Sequence, residues 1–272
     1  MNRTQTAPAL PSGGPAGAAI ARFSSMPVLW RMLSLALVFL AWEIAGRSNF
    51  NWAFPSFLET FAAFMEMLLD GSLGAAYLRT IEPLIIGLAI SLGVGVAAGV
   101  AMGLRKDVEF LTLPLFITAQ AAPMAALIPL ITFVYGIGLA SKVLAVCMLA
   151  MPVITINSYK AVRNVPASLI DMSRAFMGTR WQQITRIILP AASPMMFAGI
   201  RLGVAEGFSG VVLAELLITP TGIGDLITFH RSVANFGHMY ATIVSIVAFA
   251  VITVSLLYRL EISLFRPEKR GL

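Results

Sequence analysis

Long apolar runs separated by short polar segments occupy most of the chain from residue 28 onward. A helix needs about 20 apolar residues to cross a bilayer, and helices satisfy their own backbone hydrogen bonds there. The pattern therefore predicts an all-α membrane protein with six transmembrane helices. The predicted spans are 28–45, 83–104, a proline-kinked helix from 110 that ends at a turn near 136–142, 143–159, 193–217 and 239–258.

The first two predicted spans carry further signals. Arg31 and Glu43 interrupt the first one, and a signal peptide is the alternative interpretation of so short an apolar core. We expect a retained span, because no small-x-small cleavage site follows. In the second span Gly95, Gly99 and Gly103 recur every four residues, which predicts the close approach of another helix. An external segment, 46–81, is predicted between the two spans, with a short amphipathic helix at 57–69.

Composition agrees with the membrane class. The 272 residues are 58% hydrophobic and 12% charged, about half the charged fraction of a soluble domain. Mean hydropathy is +0.85. The predicted organisation is a disordered cytoplasmic tail at 1–27, a transmembrane domain at 28–266 and a short cytoplasmic tail at 267–272.

The basic residues are distributed unequally between the two sides of the predicted spans. One side carries only Arg47, Arg79, Lys142 and Arg231, and the other fifteen of the 19 lie on the opposite side. Because cytoplasmic loops are enriched in Lys and Arg, both termini and the loop 160–190 are predicted to be cytoplasmic. This distribution is more informative than the net charge of +6, and no nucleic-acid partner is expected.

The longest amphipathic, charge-bearing segment is 169–190, LIDMSRAFMGTRWQQITRIILP. Arg174, Arg180 and Arg186 do not belong in hydrocarbon, whereas Leu169 and Phe176 give a helix an apolar edge. A loop of this length between spans is typical of a surface that contacts a soluble partner. The alternative is a solvated amphipathic helix resting on the lipid surface.

The same segment resembles the EAA loop of the permease subunit of bacterial ABC importers. Asp171-Met172-Ser173 stands where the family has Glu-Ala-Ala, and Ile187-Ile188-Leu189-Pro190 matches the end of the pattern. Met177 replaces the family glycine, and Gly178 follows it. The blocks 54–61, 122–138 and 222–227 are similar to the nitrate, sulfonate and taurine branch, so that the resemblance extends over about 28–266.

This resemblance implies a type I ABC importer permease in the bacterial inner membrane, with an identical or similar second copy around a central path. A cytoplasmic ATPase would bind ATP, so that no cofactor is expected in this chain. An external solute-binding protein, periplasmic or lipid-anchored, would deliver substrate to the 46–81 and 218–238 faces. The implied solute is a small anion such as a sulfonate, taurine, nitrate or an organic carboxylate. The residues implied in coupling to the ATPase through the 166–190 loop are Asp171, Met172, Ser173, Arg174, Ala175, Phe176, Met177, Gly178 and Pro190.

Candidates for lining the translocation path come from residues inside the spans. Glu206 and Glu215 are two and a half turns apart, so they point to opposite faces of one helix. We expect Glu206 to pair with another helix and Glu215 to lie at the membrane interface, with path-lining as the alternative for both. Arg201 is the expected attractor of an anion. The complete set of path candidates is Phe116, Met124, Tyr135, Arg201 and Glu206.

No motif of an enzyme or a metal site is present in the sequence. There is no HExxH, GxSxG or P-loop, and the two histidines, His230 and His238, lack further ligands at metal-binding spacing. Gly222-Ile223-Gly224 lacks the lysine and strand context of a phosphate loop. The sequence therefore predicts a transport subunit and not an enzyme. A secondary transporter and a membrane-embedded enzyme are the two other classes of protein to be tested.

Overall fold

The computed structural model describes residues 27–48, 52–218 and 221–265, and its regular elements are all helical. The helices are α1 (Pro27–Arg47), α2 (Phe57–Leu69), α3 (Ser72–Leu104), α4 (Lys106–Ala121), α5 (Met124–Tyr135), α6 (Leu139–Arg163), α7 (Ala167–Ala175), α8 (Arg180–Gln183), α9 (Leu189–Leu217), α10 (Ile223–Ser232) and α11 (Phe236–Phe265). A π-helical turn, Ile184–Ile188, joins α8 to α9. The chain divides into two compact units, one ending at Glu59 and one beginning at Thr60. The predicted tails lie outside the described residues, apart from Pro27.

The first unit consists of α1 and the segment that returns against its end. The indole Nε1 of Trp42 donates a hydrogen bond to the Pro55 carbonyl at 3.1 Å. The Glu43 carboxylate accepts the Leu58 N–H at 3.0 Å. The ring of Phe39 lies 4.7 Å from that of Phe57. Glu43, which interrupts the apolar pattern, thus supplies a hydrogen-bond acceptor to the start of the next helix.

The second unit is built around α6, the most buried of its long helices, with α3 and α9 packed along it. The glycines of α3 explain how closely this helix packs against α6. A Cβ on Gly99 would lie 2.5 Å from the Thr155 carbonyl oxygen, and one on Gly103 would lie 2.6 Å from Cβ of Val162. The predicted close approach is therefore confirmed, and α6 is the helix that makes it.

A second glycine row, on α9, was missed by the sequence analysis. A Cβ on Gly210 would lie 2.9 Å from the Ala145 carbonyl oxygen, and one on Gly203 would overlap the Ile154 side chain. These residues follow Gly199 and Gly207 at spacings of three or four, which was the available signal. Both rows contact α6, so the backbones of α3 and α9 lie close to that of α6.

Four helices in the described part of the chain are long and apolar enough to span a membrane, or five if the bent pair α4–α5 counts as one. They are Ser72–Leu104, Leu139–Arg163, Arg180–Leu217 and Phe236–Phe265. Two of these helices begin before the predicted spans at 83 and 193, because they extend through flanking polar residues such as Arg79 and Arg186. The first predicted span, 28–45, corresponds to α1, which is not among these helices. The amphipathic helix at 57–69 is confirmed as α2.

The prediction of one kinked helix from residue 110 was wrong, because the structure has two helices here, α4 and α5. α4 and α5 meet at an angle of 102°. Pro123 has no N–H to donate and its ring excludes the residue before it from the α-helical region, and Ala122 accordingly adopts an extended ψ of 134°. Pro114 and Pro129 lie inside their helices and do not end them.

Candidate functional site

The predicted coupling segment folds into a short helix, α7, followed by a turn that presents two large apolar side chains. Phe176 is 81% exposed and Met177 is 91% exposed, whereas Ser173 is 6% exposed. Leu169 packs against the buried cluster around Val165 and Ile188. The helix is therefore anchored on one side and ends in an apolar tip on the other.

The turn at the end of α7 contains Met177, the residue that departs from the family glycine. Met177 has a φ of 56°, in the left-handed region. Its N–H donates to the Arg174 carbonyl at 2.9 Å, and the Gly178 N–H donates to the Ser173 carbonyl at 2.9 Å. These bonds form a Schellman motif with Met177 at the position where glycine is usual. A Cβ on Gly178 would lie 2.7 Å from Oγ of Ser173, so that close packing requires the glycine at 178.

Replacing Met177 with glycine is expected to stabilise this turn. A left-handed conformation costs an L-residue about 1–2 kcal/mol, and glycine is free of that cost. Hydrogen exchange of the amides in 173–178 would slow in the Met177→Gly variant. Ala234, which has the same φ of 56° at the end of α10, provides a matched control in Ala234→Gly. Faster exchange at 173–178 in Met177→Gly would contradict the prediction.

The start of the following helix is fixed by a capping box that the sequence analysis did not use. The Thr179 side chain accepts the Gln182 N–H at 3.3 Å, and the Gln182 side chain accepts the Thr179 N–H at 2.9 Å. The signal, Thr-x-x-Gln, was present in the sequence. Through the π-helical turn the helix continues to Leu217 over 38 residues. One continuous element therefore connects the predicted coupling loop to the far end of α9.

The other predicted coupling residues differ in their surroundings. Arg174 lies 3.3 Å from the Asp171 carboxylate, and both side chains are well exposed, so that the pair is weak. Met172, Ala175 and Pro190 are also exposed. The structure brings 171–178 together on one short element and leaves Pro190 apart, in the first turn of α9.

Arg201, the predicted anion attractor, is half-buried. It lies 3.7 Å from the Glu261 carboxylate on α11, and its guanidinium carbon is 4.8 Å from the centre of the Tyr258 ring. Both of these partners belong to another helix, α11. Because this charge is already matched, Arg201 is less available to a solute than the sequence suggested.

The surroundings of the two glutamates of α9 differ from those expected. Glu206 is exposed and has no ion pair or hydrogen bond from its side chain among residues 27–48, 52–218 and 221–265. Glu215, expected at the interface, is 2% exposed and lies inside the second unit. The exposure of Glu206 and the burial of Glu215 agree with the prediction that they point to opposite faces of the helix.

Glu215 is the centre of a buried polar network. Its carboxylate lies 3.0 Å from Nζ of Lys142, a residue that the sequence assigned to an external turn. It also accepts the Thr80 hydroxyl at 2.9 Å and the Gly224 N–H at 3.1 Å. Lys142 donates in addition to the Thr221 hydroxyl at 2.8 Å. This Lys142–Glu215 network joins α3, α6, α9 and the start of α10.

The network also accounts for the GIG block. Gly222 has a φ of 88°, and a Cβ there would overlap the Glu215 carboxylate. A Cβ on Gly224 would lie 2.5 Å from Cβ of Glu215. These glycines allow the backbone to reach the carboxylate, which is a packing role rather than phosphate binding.

The aromatic and methionine path candidates are not equivalent. Met124 is buried in a core cluster with Ile128 and Ile131, a position that gives no support to path-lining. Phe116 is half-buried, and Tyr135 is exposed at the end of α5.

His230 and His238 come together, with ring centres 5.0 Å apart. His238 Nε2 lies 3.4 Å from the Glu66 carboxylate. Burial lowers the pKa of His230, and the neighbouring His238 lowers it further, whereas Asp70 raises it. No group of three or more metal-ligating side chains occurs in the described residues.

The sequence profile of a known family matches residues 89–270, about two thirds of the chain. That family is the binding-protein-dependent transport system inner membrane component. The chain belongs to this family. The permease is also 31% identical over 234 residues to the riboflavin transport system permease protein RibX of Chloroflexus aurantiacus, with 85% of each chain covered.

Another relative agrees with the branch that the sequence suggested. The permease is 27% identical over 237 residues to the putative aliphatic sulfonates transport permease protein SsuC of Bacillus subtilis, with 86% of each chain covered. In fold it is similar to a chain of the MetNI methionine ABC transporter, with a TM-score of 0.55 and 18% identity over 69% of the permease and 92% of that chain. The protein is a multi-pass transport permease of an ABC importer and not an enzyme.

Proposed function

We propose that this permease carries a small anionic solute, such as a sulfonate or an organic carboxylate, across the bacterial inner membrane. Six spans, α1 included, would place both termini and α7 in the cytoplasm, as the distribution of basic residues favours. Two copies would form the path, with Phe116, Tyr135 and Glu206 as the remaining candidates for lining it. The relatives named for riboflavin and for aliphatic sulfonates show how widely the solute varies among similar permeases.

The apolar tip at Phe176 and Met177 is the main support for a role of this loop in coupling to the ATPase. Large apolar side chains this exposed on the predicted cytoplasmic side suit an apolar pocket on a partner ATPase. Asp171 and Arg174 form a charged rim beside the tip. ATP would be bound by the partner, and no cofactor is proposed for this chain.

Movement of the tip would be transmitted through the helix that runs from Arg180 to Leu217. At about 1.5 Å per residue, 38 residues extend over roughly 57 Å. At its far end Glu215 ties this helix to α3 and α6. A displacement of the loop would therefore move these helices together as one body, as in hinge and shear transitions.

A thiol cross-link tests the proposed docking. With Cys147 replaced by alanine, cysteine is placed at Phe176 and in the pocket of the ATPase, and cross-linking is compared with and without ATP. Ser173 is unsuitable because it is buried. Phe229→Cys is the matched control, since it is an exposed aromatic on the predicted external face. A cross-link at Phe229 but not at Phe176 would contradict the orientation, and none at either would contradict the docking.

Truncation of the tip is expected to weaken the complex. An apolar anchor at the centre of an interface contributes about 2 kcal/mol, so that Phe176→Ala would lower ATPase affinity roughly thirtyfold. The permease itself would fold normally, because the side chain is exposed. Uptake and co-purification of the ATPase are measured against Phe229→Ala. Uptake that persists without bound ATPase would instead favour a secondary transporter.

A further inference from the structure

A cleft of about 820 Å³ lies behind α7, between the ends of α3 and α6 and the start of α8. Four arginines line it, together with Trp181, and the set is Arg105, Arg163, Arg174 and Arg180. We call this the basic cleft. Its volume is within the range of ligand pockets, about 300–1,000 Å³. The apolar tip at Phe176 and Met177 is not part of its lining, whereas Arg174, on the charged rim of the proposed ATPase contact, belongs to both surfaces.

The positive charge of the basic cleft is only partly matched. Arg163 lies 3.8 Å from Glu109, and Arg174 lies 3.3 Å from Asp171. Arg105 and Arg180 form no ion pair in the part of the chain that the structure describes. The cleft therefore has an excess of guanidinium groups, whose planar donors match the oxygens of a phosphate.

An apolar surface adjoins the basic cleft. A second cleft, of about 670 Å³, shares Arg163 and is lined by Phe110, Leu113 and Pro114 on α4. Its lining also includes Lys106, Asp107 and Glu109. Phe110 is exposed, as is Trp181 in the basic cleft, and tryptophan is typical of the level of lipid headgroups. A ligand that fills both clefts has an anionic head and an apolar tail.

We propose that the basic cleft binds the phosphodiester headgroup of an anionic phospholipid, whose acyl chains follow α4 past Phe110 and Leu113. Basic pockets between membrane helices on the cytoplasmic side recognise such headgroups by the same chemistry. A free phosphate would satisfy the arginines but not the apolar cleft. Because Arg174 and Arg180 border the loop on both sides, the bound lipid would brace α7 against the ends of α3 and α6.

Native mass spectrometry of the full-length permease in detergent tests the proposal. Phosphatidylglycerol, phosphatidylcholine and inorganic phosphate are added separately. We expect wild type to retain phosphatidylglycerol, and Arg105→Gln/Arg180→Gln to retain it about tenfold less, a loss of the size expected for removed charge-assisted contacts. The matched control is Arg186→Gln/Arg259→Gln, which removes two exposed arginines outside the cleft lining and is expected to bind like wild type.

Three outcomes would overturn the proposal. Equal retention of phosphatidylcholine and phosphatidylglycerol by wild type would show that the headgroup charge is not recognised. Equal losses in the two double variants would show only a general charge effect. Displacement of the lipid by millimolar inorganic phosphate would identify a free-phosphate site. The measurement involves neither ATPase nor transport, so its failure is distinct from failure of the proposed function.

Discussion

Replacing Lys142 with methionine, or Glu215 with glutamine, is expected to destabilise the permease by about 3–5 kcal/mol, since each leaves the other buried charge unmatched. Both side chains are almost fully buried, and their charged atoms are 3.0 Å apart. For a unit of this size about 1 kcal/mol corresponds to 2–4 °C in Tm. Thermal unfolding in detergent would therefore show a loss of roughly 6–20 °C for each single variant.

The double variant Lys142→Met/Glu215→Gln is expected to recover much of that loss. It carries no buried charge, and the glutamine keeps an oxygen for the Gly224 N–H and the Thr80 hydroxyl. The double-mutant cycle should therefore give a coupling energy of at least about 2 kcal/mol, as contacting residues in one network do. Additive losses would show that the ion pair is not formed.

An exposed ion pair in the same chain provides the control for this cycle. Asp171→Asn removes a carboxylate 3.3 Å from Arg174, but both side chains are about 70% exposed. Its expected cost is below about 1 kcal/mol, because water and salt screen the pair. The contrast between the two pairs isolates the effect of burial.

The second large effect is expected at Gly99. An alanine there would place its Cβ 2.5 Å from the Thr155 carbonyl oxygen and 2.6 Å from Cβ of Ser158. The first of these contacts is with backbone, which cannot move aside as a flexible side chain does. Overpacking of this kind costs about 1–3 kcal/mol, and valine should exceed that range. We expect Gly99→Val to accumulate poorly and to unfold at a lower temperature.

Gly93, on the same helix, is the matched control. Nothing lies within 4 Å of a Cβ built there. Gly93→Ala is expected to stabilise α3 by about 0.5–1 kcal/mol through the higher helix propensity of alanine. The two alanine variants should therefore shift Tm in opposite directions. A shift of the same sign at both positions would contradict the packing of α3 against α6.

The structure changes which charged groups are candidates for contact with the solute. The sequence favoured Arg201 as the attractor of an anion, but Glu261 and Tyr258 already surround its charge. It treated Lys142 as one of the few external basic residues, whereas Lys142 is buried against Glu215. Glu206 remains exposed and is the acidic group of α9 that a solute or a second copy of the chain can reach.

The sequence by itself determined the class of protein, the existence of most long helices and the family. These depend on local properties: long apolar runs, glycines at four-residue spacing, and the loop at 169–190 with its Ile-Ile-Leu-Pro ending. The ends of the helices were predicted less accurately. The Thr179 capping box and the extended Ala122 before Pro123 both have local sequence signals, but the prediction rested on the length of the apolar runs and used neither to place a helix end.

Only the tertiary structure decided which partners meet. Lys142 and Glu215 are far apart in the chain, and nothing in the spacing of either one names the other. The same holds for Arg201 with Glu261, and for the arginines that converge on the basic cleft. A charged side chain in a predicted span can face any of several neighbouring helices. Its burial and its pKa depend on the helix that packs beside it, and that is a property of the folded chain alone.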